Sequence, residues 1–433
     1  MSRFFGLIGI LVILGIAYAM SNNRKAISLR IVGMGLLLQW GLALFILKFP
    51  LGKEIFHFLG QLISKLLSFS NKGAEFVFGV LAVPSTVEKV FGAGTGFIFA
   101  FSVVPTIIFV CAVVGILYHL GVMQKVVAAM GRIFAKLMNV SGAEALSNAA
   151  SVFIGQVEAQ IMIQPYIAGM TMSELLASMA GSMACIAGGI MAVYIALGIQ
   201  AEYLLAASLM AIPGAFVISK IVWPETHEPQ TRGAVKIEVT KKDTNLIDAT
   251  AHGCISGVKV AGNVIAMLIG FLAVLAMCDW FIGKIGLWLA WTGVDLSTIG
   301  LNLKSLSLGS LLGVIFAPMA YVMGVPSHDI LSVGSLMGTK FVLNEFVAYL
   351  QLSGIIHSHV HHAVTTLAPK SITIVTFALC GFANFSSVAM QIGGIGALAP
   401  SRKHDLAKLG MKALLCGTFA SYMSATIAGI ILG

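Results

Sequence analysis

Charge is what this sequence has least of. Only 10% of its 433 residues are Asp, Glu, Lys or Arg, against 58% hydrophobic residues. A soluble chain of this length cannot hide so much apolar surface in one core. Ligand-spaced cysteines are also missing. Cys111, Cys185, Cys254, Cys278, Cys380 and Cys416 show no CxxC spacing and sit in or beside apolar runs, which excludes a cysteine-ligated metal or cluster and leaves small packing residues. No Ser-His-Asp set, phosphate-binding loop or dinucleotide fingerprint occurs, so no enzyme is indicated. Gly92-x-Gly94-x-Gly96 precedes an apolar run rather than a βα unit.

What is present is length without charge. A bilayer core of about 30 Å needs roughly 20 apolar residues per helix. Charge-poor runs of about that length cover residues 4–21, 31–47, 91–118, 175–202, 260–277, 371–401 and 413–433. The fold class is therefore an all-α polytopic membrane protein. The first run has no small-residue cleavage site after it and a second run follows closely, so it reads as a true first helix rather than a removed leader. Residues 51–72 carry Lys, Glu and His, and 122–140 carry Lys and Arg, at helical spacing among apolar positions, the pattern of helices lying along an interface.

The formal net charge of +9 fits loop placement better than nucleic-acid binding. Four basic groups hold 16 of the 26 Lys and Arg: Arg24/Lys25/Arg30, Lys125/Arg132/Lys136, the bases of 220–259, and Arg402/Lys403/Lys408/Lys412. Putting all four on the cytoplasmic side of an inner (plasma) membrane places both termini outside. Residues 223–245, polar and holding Pro224 and Pro229, read as a cytoplasmic linker between two halves.

Those halves echo one another. Gly131-Arg132-Ile133-Phe134-Ala135 is answered by Gly313-Val314-Ile315-Phe316-Ala317. Some 24–29 residues after each Phe comes a polar tip with one acid, Gly155-Gln156-Val157-Glu158 and then Asn344-Glu345. The apolar arms beside each tip are too short to span a bilayer, which predicts two re-entrant hairpins. Each is followed by a long run broken in its middle, at Gly188-Gly189 and at Cys380-Gly381-Phe382-Ala383-Asn384. Three crossings lie between the hairpins, so they enter from opposite faces. An inverted repeat with broken helices is the architecture of secondary transporters.

A carboxylate at the bilayer centre costs about 2.5 kcal/mol or more, so it needs a partner, a proton or a wet cavity. Glu158 and Glu345 are expected to line one closable chamber together. Gln156 can pair with an amide-like edge, Glu345 can accept from hydroxyls, Asn384 and Ser387 add donors and acceptors, and Phe382 offers a flat apolar wall. The set suits a neutral ligand with a heteroaromatic face and several hydroxyls. The tract His357-Ser358-His359-Val360-His361-His362 lacks a supporting Cys or acid and reads as a solvated loop rather than a metal site.

At these positions the chain resembles the concentrative nucleoside transporters. The resemblance is carried by Gly155-Gln156-Val157-Glu158, by Asn344-Glu345-Phe346-Val347-Ala348-Tyr349, by Cys380-Gly381-Phe382-Ala383-Asn384-Phe385-Ser386-Ser387 and by the run from Gln391 to Pro400, in order over essentially the whole chain. It implies about eight membrane-spanning helices, two hairpins, interfacial helices and a homotrimer. Residues 1–120 and 223–300 would form a scaffold, and 121–222 and 301–433 the two repeats of a moving transport domain. The base of the nucleoside would meet Gln156, Val157, Glu158 and Ile190. Its ribose would meet Glu345, Asn384 and Ser387, with Phe382 against the ligand.

The resemblance also implies a sodium site at Ser151, the Ile154 carbonyl and Cys185. A thiol is a poor ligand for a hard cation, so a proton through Glu158 or Glu345 is the favoured coupling ion and sodium the other. Val157 stands where the family often has a hydroxyl. The expectation is thus a cation-coupled nucleoside symporter of the bilayer working by alternating access, without cofactor or nucleic-acid partner. Its rivals are a passive facilitator, an intramembrane enzyme and a substrate sensor.

Overall fold

The computed structural model describes residues 2–92, 96, 98–232, 243–296, 300–358 and 367–432, and among these all regular structure is helical. Polar caps and prolines punctuate the apolar runs. Ser28 caps α2 (Leu29–Leu47), following α1 (Ser2–Ala19), and Pro50 opens α3 (Pro50–Ser68). Helices α4 (Ser70–Phe78) and α5 (Pro84–Phe91) continue that amphipathic stretch. The third crossing is α6 (Phe99–Ser102) with α7 (Val104–His119), the two separated at Val103, just ahead of Pro105.

The first repeat begins with α8 (Val122–Met138), the expected surface helix. A capping box between Ser141 and Glu144 starts α9 (Gly142–Ala150), the first hairpin arm. The chain turns through 151–157 and returns by α10 (Glu158–Ile161) and α11 (Gln164–Ile167). A second capping box, Thr171 with Glu174, starts α12 (Met172–Ala184). This helix stops at Cys185 and resumes as α13 (Gly188–Ala196), so the break lies just before the glycine pair rather than on it. Helix α14 (Ala201–Val222) completes the repeat.

After the linker, Asn245 caps α15 (Leu246–Trp291). Its 46 residues are far more than the expected 260–277, and at 1.5 Å per residue they reach about 69 Å, twice the bilayer core. The second repeat follows as α16 (Leu308–Val322), α17 (Ile330–Val342), α18 (Glu345–Ser358), α19 (Pro369–Leu379), α20 (Phe385–Leu398) and α21 (Lys403–Leu432). Of the histidine tract, His357 belongs to the last turn of α18, and 359–362 lie outside the described residues.

The sequence echo is also a packing echo. A Cβ on Gly131 would come within 3.2 Å of Leu146 on the first hairpin arm, and one on Gly313 within 2.8 Å of the Leu331 carbonyl on the second. Each repeat uses its matched glycine to seat a surface helix against its hairpin. The hairpins also enter from opposite faces. The ends of the first meet the basic groups: Thr231 binds the Gly142 and Ala143 amides, and Arg402 donates to the carbonyls of Ile167, Ala168 and Met170. On that face Lys412 lies 4.6 Å from the Trp223 ring centre. The second hairpin starts at the other face, beside α1, where Gly6 packs on Ile430 of α21.

Helices α12, α14 and α21 form the buried heart, while α15 is largely exposed and turns Trp280, Phe281, Trp288 and Trp291 outward. Gly253 and Gly257 let α15 lie on α7, since a Cβ on either would fall 2.6 Å from α7 backbone atoms.

At the centre the two broken helices cross. Gly381, with φ of +112°, puts its backbone against the Met183 and Ala184 carbonyls, and a Cβ there would stand 2.6 Å from both oxygens. Gly381→Ala therefore combines left-handed strain with a backbone clash and should cost about 1–3 kcal/mol or more. Gly15→Ala, which meets nothing within 4 Å, should be neutral or stabilising. Melting of the two purified variants in detergent checks the pair, and equal melting points would contradict the crossing.

Candidate functional site

The two breaks leave half-helix ends in the middle of the fold, and the polar side chains gather there. Asn384 sits in the second break and caps α20, its Oδ1 accepting from the Ser387 amide at 2.9 Å. Its Nδ2 donates to Glu345 Oε2 at 3.0 Å. The other carboxylate oxygen, Oε1, accepts from the Tyr194 hydroxyl on α13 at 3.2 Å. On the opposite side, Gln156 at the first hairpin tip donates to Ser387 Oγ at 3.2 Å, and its Oε1 accepts from Gln391 on α20 at 3.3 Å.

One continuous polar chain results, Gln391–Gln156–Ser387–Asn384–Glu345–Tyr194. It joins both hairpin tips to both broken spans, and every member is buried. Glu345 is held by donors on both oxygens, each bond to the charged group contributing about 1.5–3 kcal/mol, which makes a carboxylate tolerable at that depth.

Not every expected residue joins this chain. Glu158 opens α10 but is exposed rather than buried, its carboxylate lying over Gly155 of the tip. The hairpin tip lifts it past the closed centre, so the two acids occupy different environments. Val157 packs both methyls on α20, where a Cβ at Gly394 would meet them at 2.6 and 2.7 Å. An apolar residue there closes the tip against a helix instead of offering a hydroxyl. Ile190 and Phe382 are half-buried, Phe382 within the second break and Ile190 in the first turn of α13.

The residues matched to a sodium site lie at the first hairpin tip and at the α12–α13 break beside it, where the Gly188 amide meets the Phe153 carbonyl at 3.1 Å. Ser151 Oγ donates to the Ser147 carbonyl at 2.8 Å and pairs with Ser182 at 3.0 Å. Cys185 turns its thiol to the Ser208 carbonyl on α14 at 3.5 Å. Ile154, buried, continues the turn through its amide, bonded to the Ala150 carbonyl. Of the three, the Cys185 thiol is a poor ligand for a hard cation, which prefers oxygen. Among the described residues no group of three or more His, Cys, Asp or Glu is placed to hold a metal.

Sequence reasoning missed Tyr194 and underused Gln391. Tyr194 lies in an apolar run with no polar neighbour to mark it, and only the crossing of α13 over α18 brings it to Glu345. Its ring stacks on Tyr349 at 4.3 Å between centres, which fixes the hydroxyl.

The match to known proteins is extensive. A family model for the "Na+ dependent nucleoside transporter C-terminus" covers residues 203–429, its N-terminal counterpart covers 8–81, and a "nucleoside recognition" gate model covers 100–201. The chain belongs to the concentrative nucleoside transporter family. It is a nucleoside transporter of the membrane. Nucleoside permease NupC of Helicobacter pylori is 37% identical over 100% of this chain and 98% of its own. Putative nucleoside permease NupX of Escherichia coli is 38% identical over 98% of each. Rat sodium/nucleoside cotransporter 1 is 38% identical over 98% of this chain, which spans 63% of that longer protein. Among solved structures, CNTnw in an inward-facing substrate-bound state superposes with a TM-score of 0.91 at 38% identity, covering 100% of this chain and 98% of that one.

Tyr194→Phe keeps the ring packing and deletes one bond to Glu345. The KM for uridine uptake should rise about tenfold to hundredfold, the worth of one hydrogen bond to a charged group. An unchanged KM would show that Glu345 does not need this donor.

Proposed function

We propose that the chain is a proton-coupled nucleoside symporter that imports nucleosides across the inner (plasma) membrane by an elevator-like alternating-access motion. The observation that carries the reading is the polar chain linking both hairpin tips through Ser387 and Asn384. A nucleoside brings an amide-like base edge and ribose hydroxyls, the groups able to replace these internal bonds one for one. Gln156, Val157, Glu158 and Ile190 form the base side. Glu345, Asn384 and Ser387 form the ribose side, with Phe382 against the rings. Binding exchanges the contact between hairpin 1 and α20 for contacts through the ligand.

The proton is favoured over sodium by the ligand set. Cys185 offers a thiol, a poor ligand for a hard cation, whereas the Glu158 carboxylate is exposed and stands at the tip that closes over substrate. A carboxylate passing from water to a closed site is favoured there once protonated. The sodium reading rests on the family model's description as Na+ dependent, and the test below includes it.

In this account 1–120 and 223–300 form the scaffold and 121–222 with 301–433 the moving domain. Gln39 of α2 donates to Ser424 and to the Met210 carbonyl, at 2.8 and 3.3 Å, so the motion has to exchange those bonds. The exposed apolar rows on α3 and α15 offer the faces for a homotrimer and for lipid. Both termini lie on the outer face, opposite the basic groups.

The test is uptake of radiolabelled uridine and adenosine into proteoliposomes with pH and sodium gradients imposed separately. An acid-outside gradient should drive accumulation without sodium, and Glu158→Gln should equilibrate substrate without concentrating it. Glu345→Gln and Gln156→Ala should each abolish uptake while the protein still inserts. Normal uptake by either variant would remove the site. Uptake indifferent to the pH gradient but lost without sodium would replace the proton, and equilibration under every gradient would mark a passive facilitator.

A further inference from the structure

Among the described residues two basic side chains are buried, Lys220 and Lys340. Lys220 is accounted for at the basic face, where Nζ lies 2.7 Å from Glu144 and 3.0 Å from Ser173 Oγ. Lys340 is not. It lies in α17, the first arm of the second hairpin, with no exposure at all, in a region where an unpaired ammonium is unaffordable.

Its partners are the free carbonyls at the broken end of α19. Nζ donates to the Ala378 carbonyl at 2.8 Å and to that of Cys380 at 3.2 Å. Other groups at that helix end are paired as well. Tyr349, on the other arm of the same hairpin, donates to the Thr376 carbonyl at 2.7 Å. The Cys380 amide turns back to Phe377, and Ser421 of α21 adds a second donor to the Cys380 carbonyl at 2.7 Å. A helix C-terminus carries partial negative charge and favours a cation. Here the cation comes from hairpin 2 and sits four residues before Asn344 and five before Glu345.

The other break is finished differently. The carbonyls of Met183 and Ala184 lie against Gly381, and the first hairpin reaches that break by one backbone bond, Gly188 amide to Phe153 carbonyl at 3.1 Å. The two breaks are otherwise alike: Cys185 and Cys380 are the residues at which α12 and α19 stop, and Ser208 of α14 contacts both, through its carbonyl and its hydroxyl. Only the second is met by a lysine side chain.

We propose that Lys340 is a tethered cation that clamps hairpin 2 onto the broken end of α19 and so keeps Glu345 and Asn384 in register without any ion from solution. It is a positioning residue and does not touch substrate. The clamp makes the two halves of the site unequal: the ribose side is assembled permanently, and the tip of the first hairpin, which meets its break and α20 through neutral contacts while its arms are tied at the basic face by Lys220 and Arg402, is the half free to open. This rests on the reading of Glu345 and Asn384 as ligand contacts.

The experiment uses the full chain with Leu343→Cys as a reporter at the hairpin 2 tip, where Leu343 is buried. Its labelling by a small maleimide is read in detergent by peptide mass, which separates it from the native cysteines. Lys340→Ala should speed that labelling about tenfold to hundredfold and cut uridine uptake by a similar factor, the worth of the charged hydrogen bonds removed. Propylammonium, a charged stem that fits the vacated space, should slow the labelling again and restore part of the uptake, whereas propanol, of the same shape without charge, should do neither. Should Lys340→Ala fail to fold, Lys340→Gln keeps the bulk and the donors without the charge, and it should still show fast labelling. Parent-like labelling in Lys340→Gln, uptake within twofold of the parent in Lys340→Ala, or equal effects of propanol and propylammonium would each overturn the clamp. Glu345→Gln, with Lys340 intact, should lose uptake yet keep slow labelling. Normal uptake there would remove the ligand reading and leave the clamp to be judged on labelling alone.

Discussion

A helix interrupted inside a membrane exposes carbonyls at one end and amides at the other, with no water to receive them, and the organisation of this molecule follows from how those groups are satisfied. The α19–α20 break is filled by Lys340, Tyr349 and Ser421 on the carbonyl side and by Asn384 on the amide side. The α12–α13 break closes against the first hairpin through Gly188 and against the other break through Gly381. The half-helix ends that the substrate would use are thus the ends the fold must protect when substrate is absent. A site built this way is never empty of hydrogen bonds: Gln156 holds Ser387 until something better arrives. That substitution lets a polar ligand cross an apolar layer without a large desolvation penalty at either stage.

The crossing of the breaks explains why glycine stands at 381 while Phe382 and Asn384 can be large. One residue must pass the Met183 and Ala184 carbonyls at contact distance in the left-handed region, and it can carry no side chain. The residues after it are then thrown to the side of α20's N-terminus, where Asn384 serves as cap and as donor to Glu345. Cap and carboxylate donor are one side chain, so the same amide that starts the helix orients Glu345. Loss of either role disturbs the other.

Much of this was legible in the sequence, and the limits have physical causes. Short apolar arms around polar tips announce hairpins because a ten-residue arm cannot span oil, and α9 to α11 and α17 with α18 stand where that arithmetic put them. The glycine echo at 131 and 313 was visible as letters and proved to be a shared packing device. Burial of individual polar groups was not legible. Glu158 and Glu345 look equivalent in sequence, yet a turn of hairpin geometry exposes one and buries the other. Tyr194 and Lys340 could not be placed either, because each acts on a partner more than thirty residues away through a crossing that no local pattern encodes. The length of α15 was underestimated since its polar first turns, capped by Asn245, resemble linker until the helix is seen to continue through them.

The inverted repeat supplies two copies of one motif, and the useful property of the molecule lies in how the copies differ. Symmetry would make both hairpins equally free, and a carrier whose two gates open with equal ease leaks. A lysine set into the break beside the tip of hairpin 2, against neutral contacts alone at the tip of hairpin 1, breaks that equality. The same asymmetry bears on coupling. An ion or proton can bias only the half whose closure it helps to complete, and the proposed coupling puts it at the exposed carboxylate of Glu158, since that of Glu345 is already held by Asn384 and Tyr194. On the proposed coupling the driving ion would act at the first hairpin, and the second would serve as the wall against which the ligand is closed.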